Sequence, residues 1–219
     1  MNWFFRSSIG KKLSMAVSAI FLMIFLLQHF LINVTSLFSP NLFNYLSHFM
    51  GTNLLVQFVA QPLLISGVIF HFIMGIILEY ENRKALGYSY SQYTGSANSS
   101  WVSRNMIISG LVIIGFLILH FIDFWIPEIS YKYIHFLPSS PDRYYAELTH
   151  KFTNPIRVIV YCISFLLLSL HLLHGFTSSI KSIGAKKSQI NSIKTISYIY
   201  SIGIPVGFCI IAIFHYFNH

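Results

Sequence analysis

From Leu13 to Leu78 the chain carries not one Asp, Glu, Lys or Arg. A soluble domain covers its core with charged side chains distributed along every element, and that stretch has none to offer. The rest of the chain agrees: of 219 residues, 55% are apolar, 17% aromatic and only 9% charged. The composition predicts an integral membrane protein.

Crossing a bilayer takes about 20 consecutive apolar residues, because a helix rises ~1.5 Å per residue across ~30 Å of hydrocarbon. Five stretches satisfy this, at approximately 13–37, 54–78, 106–126, 156–180 and 195–217. The expectation is an all-α membrane protein in which residues 1–219 form one integral domain of five transmembrane helices. The link between the first two spans is polar but uncharged. That between the third and fourth carries Pro127, Pro138, Pro141 and Pro155 and reads as a loop. The first apolar run is too long for a signal peptide and lacks a small-residue cleavage site, so it reads as a retained helix.

A net charge of +8 raises the question of nucleic acid. The basic residues lie between apolar spans rather than on one face, which is a topology signal and points away from a nucleic-acid partner. Of fourteen Lys and Arg, ten fall in the N-terminal tail, residues 79–104 and residues 181–194. The other four, Lys132, Arg143, Lys151 and Arg157, fall on the opposite side. The positive-inside rule then places the N-terminus in the cytoplasm and the C-terminus outside. Cys162 and Cys209 both sit within apolar spans, so neither a disulfide framework nor a CxxC metal site is expected. The absence of a CxxCH excludes covalent c-type haem attachment.

The ten histidines sort by depth. His48, His135 and His150 fall in connections, and His215 and His219 at the outer end of the last helix. All five read as solvated or interfacial. His29, His71, His120, His171 and His174 lie within hydrocarbon, where an ionisable side chain is costly and marks function. His29 is 17 residues from Lys12 and His120 is 16 from Arg104, on helices running outward. Both therefore lie about 25 Å from the cytoplasmic boundary. His71 is 12 residues from Arg83 and His171 is 10 from Lys181, on helices running inward. Those two lie roughly 15–18 Å from the same boundary.

Two neutral imidazoles at one depth on facing helices are what bis-histidine haem ligation needs, and here the arrangement occurs twice. The pattern predicts two b haems, an inner one held by His71 and His171 and an outer one by His29 and His120. Four helices would form the dihaem core and the fifth would be peripheral. The spacing His-x-x-x-Gly at His71–Gly75 and His171–Gly175 removes bulk from the face the imidazole occupies, leaving room for a flat macrocycle. His174 competes with His171, which is preferred because it carries that spacing; His174 then reads as haem-adjacent. Ser18, Trp101, Arg104 and Lys181 are candidate neighbours of haem propionates on the inner side. Asp123, three residues beyond His120, reads as a solvated helix end or as a proton or quinone contact. No HExxH, phosphate loop or acidic metal cluster accompanies these residues. A transporter whose histidines bind a metal or relay protons is the rival from another class.

The segments SSIGKKLSMAVSAIFLMIFLLQHFLIN, HFMGTNLLVQF, FHFIMGIILEYENRKALGY, NSSWVSRNMIISG and CISFLLLSLHLLHGFTSSIKSIG resemble the cytochrome b558 subunit of succinate dehydrogenase/fumarate reductase. The resemblance is to the five-helix, dihaem type that works with menaquinone, and it covers nearly the whole chain. It implies an anchor in a bacterial cytoplasmic membrane that carries a flavoprotein and an iron–sulfur subunit on its cytoplasmic face. Electrons would pass through the two haems to or from the quinone. By position, His71 and His171 would hold the haem proximal to the iron–sulfur partner, and His29 and His120 the distal one. Some members carry an intramembrane carboxylate where this chain has Ser169, and a quinone-site carboxylate in the link or the outer half of the second helix, where this chain has no acidic residue. His48, Asn44 and Gln57 are the residues left as quinone candidates. A cytochrome b subunit of a hydrogenase or formate dehydrogenase would share the haem argument and differ in its soluble partners.

Overall fold

A computed structural model describes residues 7–86 and 106–218. The fold is 89% helix, with no strand among the described residues. Helix α1 (Ser8–Val34) starts where the Ser7 hydroxyl accepts the Gly10 N–H at 3.0 Å. A short surface helix α2 (Pro40–Thr52) follows, with Ser39 as its cap and Pro40 at its first position. After a π-helical turn at Val56–Ala60 comes α3 (Gln61–Leu86). Next come α4 (Met106–His120), a π-turn at Phe121–Trp125, α5 (Ile126–Ile129) and a second π-turn at Ser130–Ile134. The surface helix α6 (Arg143–Lys151) leads to α7 (Pro155–Ser182) and α8 (Ile190–Phe217). The Asn154 side chain caps α7 by accepting Ile156 N–H at 2.9 Å and Arg157 N–H at 3.2 Å, and Pro155 sits where a missing N–H costs nothing.

Among the described residues, five helical runs of 27–30 residues, with mean hydropathy 2.0–2.4 in their most apolar windows, are long and apolar enough to cross a membrane. The chain is a multi-pass membrane protein. Two boundaries differ from the sequence expectation. The second span continues to Leu86 because its charged end remains helical: Arg83 Nε pairs with Glu79 at 2.6 Å one turn away, and Lys11 on α1 pairs with Glu81. The third continues to Ile134. Pro127 was expected in a loop, but the π-turn ending at Trp125 shifts the bonding pattern just ahead of it. The proline then enters at the start of a new helical segment rather than inside an old one. His48 and His150, expected in loops, lie on α2 and α6.

Four helices enclose the interior. Helix α1 packs against α3 and α7, and α4 packs against α7 and more sparsely against α3. The diagonals of this square are therefore α1/α4 and α3/α7. Helix α8 lies outside it, along α7 and α1, yet it is not lightly held. In its most apolar window 39% of residues are buried, against 6% in the second and third spans. Its stripe of Ile204, Phe208, Ile211 and Ala212 joins Tyr161, Phe165, Phe43, Leu148 and Phe152 in one apolar core toward the His29/His120 end of the bundle. The fifth helix, expected to be peripheral, contributes neither ring of the two histidine pairs but touches one of them, Phe208 lying 5.7 Å from the His29 ring.

Candidate functional site

The diagonals bring the intramembrane histidines together in two pairs. The rings of His29 and His120 have centroids 5.8 Å apart at an interplanar angle of 86°. Those of His71 and His171 lie 6.4 Å apart at 65°. The levels of the pairs follow from their neighbours. Ser18 touches His71 and Ser109 touches His171, and each serine is 11 residues below the outer-pair histidine on its own helix. At ~1.5 Å per residue the two pairs are about 16 Å apart along the bundle.

The inner pair is oriented by hydrogen bonds whose directions can be worked out. Ser18 Oγ donates to Met15 O at 2.8 Å, which uses its only proton. Its contact of 3.0 Å with His71 Nδ1 must then be one in which the ring N–H donates. Ser109 repeats this on the other side, donating to Met106 O at 2.9 Å and accepting from His171 Nδ1 at 3.0 Å. Both rings are thereby fixed in the Nδ1–H tautomer, with the Nε2 lone pair free to bind a metal. Ser18, a candidate propionate neighbour, lies against His71, its hydroxyl donating to Met15 O and accepting from the ring. Ser109 was not singled out by the sequence reading. The signal existed, since Met-x-x-Ser with a histidine eleven residues after the serine occurs at Met15/Ser18/His29 and again at Met106/Ser109/His120. The glycines follow the same repeat. A Cβ at Gly75 would meet Met15 Cε at 3.7 Å, and one at Gly175 would meet Met106 Cε at 3.4 Å. The bulk beside each inner imidazole is thus the end of a flexible methionine.

The outer pair is held differently. Asn33 Nδ2 approaches the His29 ring only at 3.5 Å, and His120 Nδ1 is buried without a partner. Aromatic packing takes the place of hydrogen bonds: Phe25 stacks on His29 at 5.6 Å, and Phe116 and Phe124 lie 5.8 and 5.2 Å from His120. We expect Ser18→Ala or Ser109→Ala to weaken metal-group retention by the inner pair about 10- to 100-fold, as loss of an orienting partner usually does. Retention in detergent would measure it. Loss from the outer pair instead would refute the tautomer assignment.

The residues fit an axial pair better than a closed metal site. An imidazole–metal bond is ~2.0 Å and the ring centre lies ~1.1 Å behind the ligating nitrogen, so two axial imidazoles have centroids about 6 Å apart. Both observed separations match. Among the described residues no group of three or more His, Cys, Asp or Glu side chains converges on one point.

The remaining candidates disperse. His174 is half-buried, one turn beyond His171, and no ring contact joins it to His71 among the described residues. Lys181 is exposed in the last turn of α7. Trp101 and Arg104 lie outside the described residues. Asn44 is a tie between α2 and α6, donating to Asp142 O at 3.1 Å and accepting Tyr145 N–H at 2.7 Å. His215 corrects its interfacial reading. It is 0% exposed, with Nε2 2.9 Å from Ser36 Oγ, which itself donates to Asn33 O. Asp123 likewise is no solvated helix end: it is 2% exposed, bonded to Tyr161 and Arg157.

Beyond the outer pair, two adjoining cavities open between the start of the second span and the end of the third. One is lined by Gln57, Gln61, Phe58, Trp125 and Glu128, and the other by Gln57, Tyr131, Arg143 and Tyr144; both also take in Lys132 and Tyr133. Glu128 pairs with Lys132 and Arg143. Burial, with Glu128 beside it, pushes the Tyr144 phenol up to about 12, so it stays a neutral donor to that carboxylate. Gln57 bridges the cavities, accepting from Tyr133 Oη. Compared with known protein families, characterised proteins and solved structures, the chain finds no match.

Proposed function

We propose that this chain is a dihaem cytochrome b that carries electrons through a membrane as the anchor subunit of a succinate:menaquinone oxidoreductase. One observation carries the haem reading: two histidine pairs on the two diagonals of one bundle, each at axial-ligand separation, about 16 Å apart along it. Bound b haem supplies reversible one-electron transfer. The chain's residues do the rest. His71 and His171 present Nε2 because Ser18 and Ser109 hold their other nitrogen, and His29 and His120 are held by a collar of phenylalanines. Two levels on one bundle divide the membrane into short steps instead of one long one.

The assignment to a succinate-linked complex rests on the resemblance of the quoted segments. In that assignment the inner pair faces a flavoprotein and an iron–sulfur subunit in the bacterial cytoplasm. The quinone would occupy the cavities beyond the His29/His120 pair, where Gln57 lies among Phe58, Trp125 and Tyr133 beside Glu128 and Lys132.

A dithionite-reduced minus oxidised spectrum of the purified protein, with a pyridine haemochrome assay, tests the haem reading. Two b haems per chain are expected. A well-folded preparation with no haem would overturn it and leave a histidine-bearing transporter as the better account. Copurifying subunits separate the succinate-linked assembly from a hydrogenase or formate dehydrogenase type.

A further inference from the structure

Asp123 lies three residues beyond His120, within the π-turn of the third span, and its side chain is only 1% exposed. Its Oδ2 accepts the Tyr161 hydroxyl at 2.8 Å and pairs with Arg157 Nε at 3.0 Å. Tyr161 is itself 2% exposed, and its ring centroid is 6.4 Å from that of His120. A carboxylate taken out of water survives only with such partners, and apolar residues of the same volume serve stability as well or better. Packing alone therefore gives no reason for a charged triad beside the outer histidines.

The two charges are unequally placed. The Arg157 side chain is 32% exposed, so its charge is screened, whereas the Asp123 charge acts through low-dielectric protein. Their sum at His120 is a negative field. We infer that Asp123, held in place by Tyr161 and balanced by Arg157, is a positioning charge that lowers the reduction potential at the His29/His120 pair. The inference rests on the dihaem reading. Reduction adds one electron at that pair, and a nearby negative charge opposes it. Removing the carboxylate leaves Arg157 unopposed and favours the reduced state; removing the guanidinium does the reverse.

The test is an optical redox titration of the purified full-length protein and its Asp123→Asn, Arg157→Gln and Arg157→Lys variants. The outer component is identified as the one lost in His120→Ala. At a separation on the order of 10 Å and an effective dielectric near 20, one charge shifts such an equilibrium about tenfold. Asp123→Asn is expected to raise the reduced-to-oxidised ratio of the outer component about tenfold, or about 59 mV for a one-electron couple. Arg157→Gln is expected to move it the opposite way and Arg157→Lys to restore it, with the inner component unmoved throughout. A purely structural role would move neither potential in this sign-inverting manner. With both haems bound, equal potentials in all variants, or shifts of one sign, would overturn the inference and leave the dihaem reading standing. A folded chain without haem overturns both. If Asp123→Asn does not fold alone, the double variant Asp123→Asn/Arg157→Gln, which removes both charges together, decides: the negative sum at the outer pair predicts a rise in its potential, and no rise refutes the inference.

Discussion

Alanine at His71 is expected to remove one of two b haems from the folded chain, and alanine at His120 to remove the other. Each substitution takes one axial nitrogen from one level and leaves the second level, about 16 Å away, untouched. Loss of the group need not mean loss of the fold. Ser18 already donates to Met15 O, so removing His71 leaves no donor stranded, only a vacated acceptor lone pair on a hydroxyl. His120 Nδ1 has no partner to strand. The haem-to-chain ratio should fall from two to one in either variant and close to zero when both are combined, read by pyridine haemochrome against protein concentration. His171→Ala should match His71→Ala, because it is His171 that lies 6.4 Å from the His71 ring. His174→Ala should keep both haems. A chain that keeps two haems after His71→Ala, or loses one after His174→Ala, would break the proposed pairing.

This pairing was legible before any coordinates because it depends on one constant. Helical rise converts distance from Lys12, Arg104, Arg83 and Lys181 into depth, and depth alone groups His29 with His120 and His71 with His171. The five spans were legible for a similar reason, since hydrocarbon thickness sets a length that composition either meets or does not. What escaped were features whose cause lies on another helix. Asp123 reads as a helix end until Arg157 and Tyr161, more than thirty residues later, are placed against it. His215 looks interfacial because Ser36, its partner, is 179 positions away. The third span overran its expected end because π-turns at Phe121–Trp125 and Ser130–Ile134 carry the helix past Pro127, and single-residue propensities do not encode that wider turn. Ser109 is an intermediate case. Its spacing to His120 duplicates that of Ser18 to His29, so comparing the two halves of the chain would have found it.

A valine at Gly207 is expected to strain the crossing of α8 and α1 without touching a histidine. A Cβ there would meet the Phe30 ring, with Cζ at 2.6 Å, so α8 and α1 approach at a point where only glycine fits. The ring cannot withdraw freely. It packs edge-on against Phe208 at 5.3 Å, Phe208 stacks on Phe165 at 5.2 Å, and Phe208 also lies 5.7 Å from the His29 ring. Overpacking of this kind costs about 1–3 kcal/mol, and a β-branched side chain at a helix crossing sits at the upper end. Because the displaced rings wall the outer pair, the same change should release the outer haem before the inner one. Gly203 supplies the control one turn away: nothing lies within 4 Å of its Cβ position, so Gly203→Val should cost little in packing. Thermal unfolding in detergent, followed together with the outer haem's absorption, separates the two. Equal melting temperatures and equal haem retention in the two variants would show that α8 can yield at Phe30, and that the fifth helix does not hold the outer pair in place.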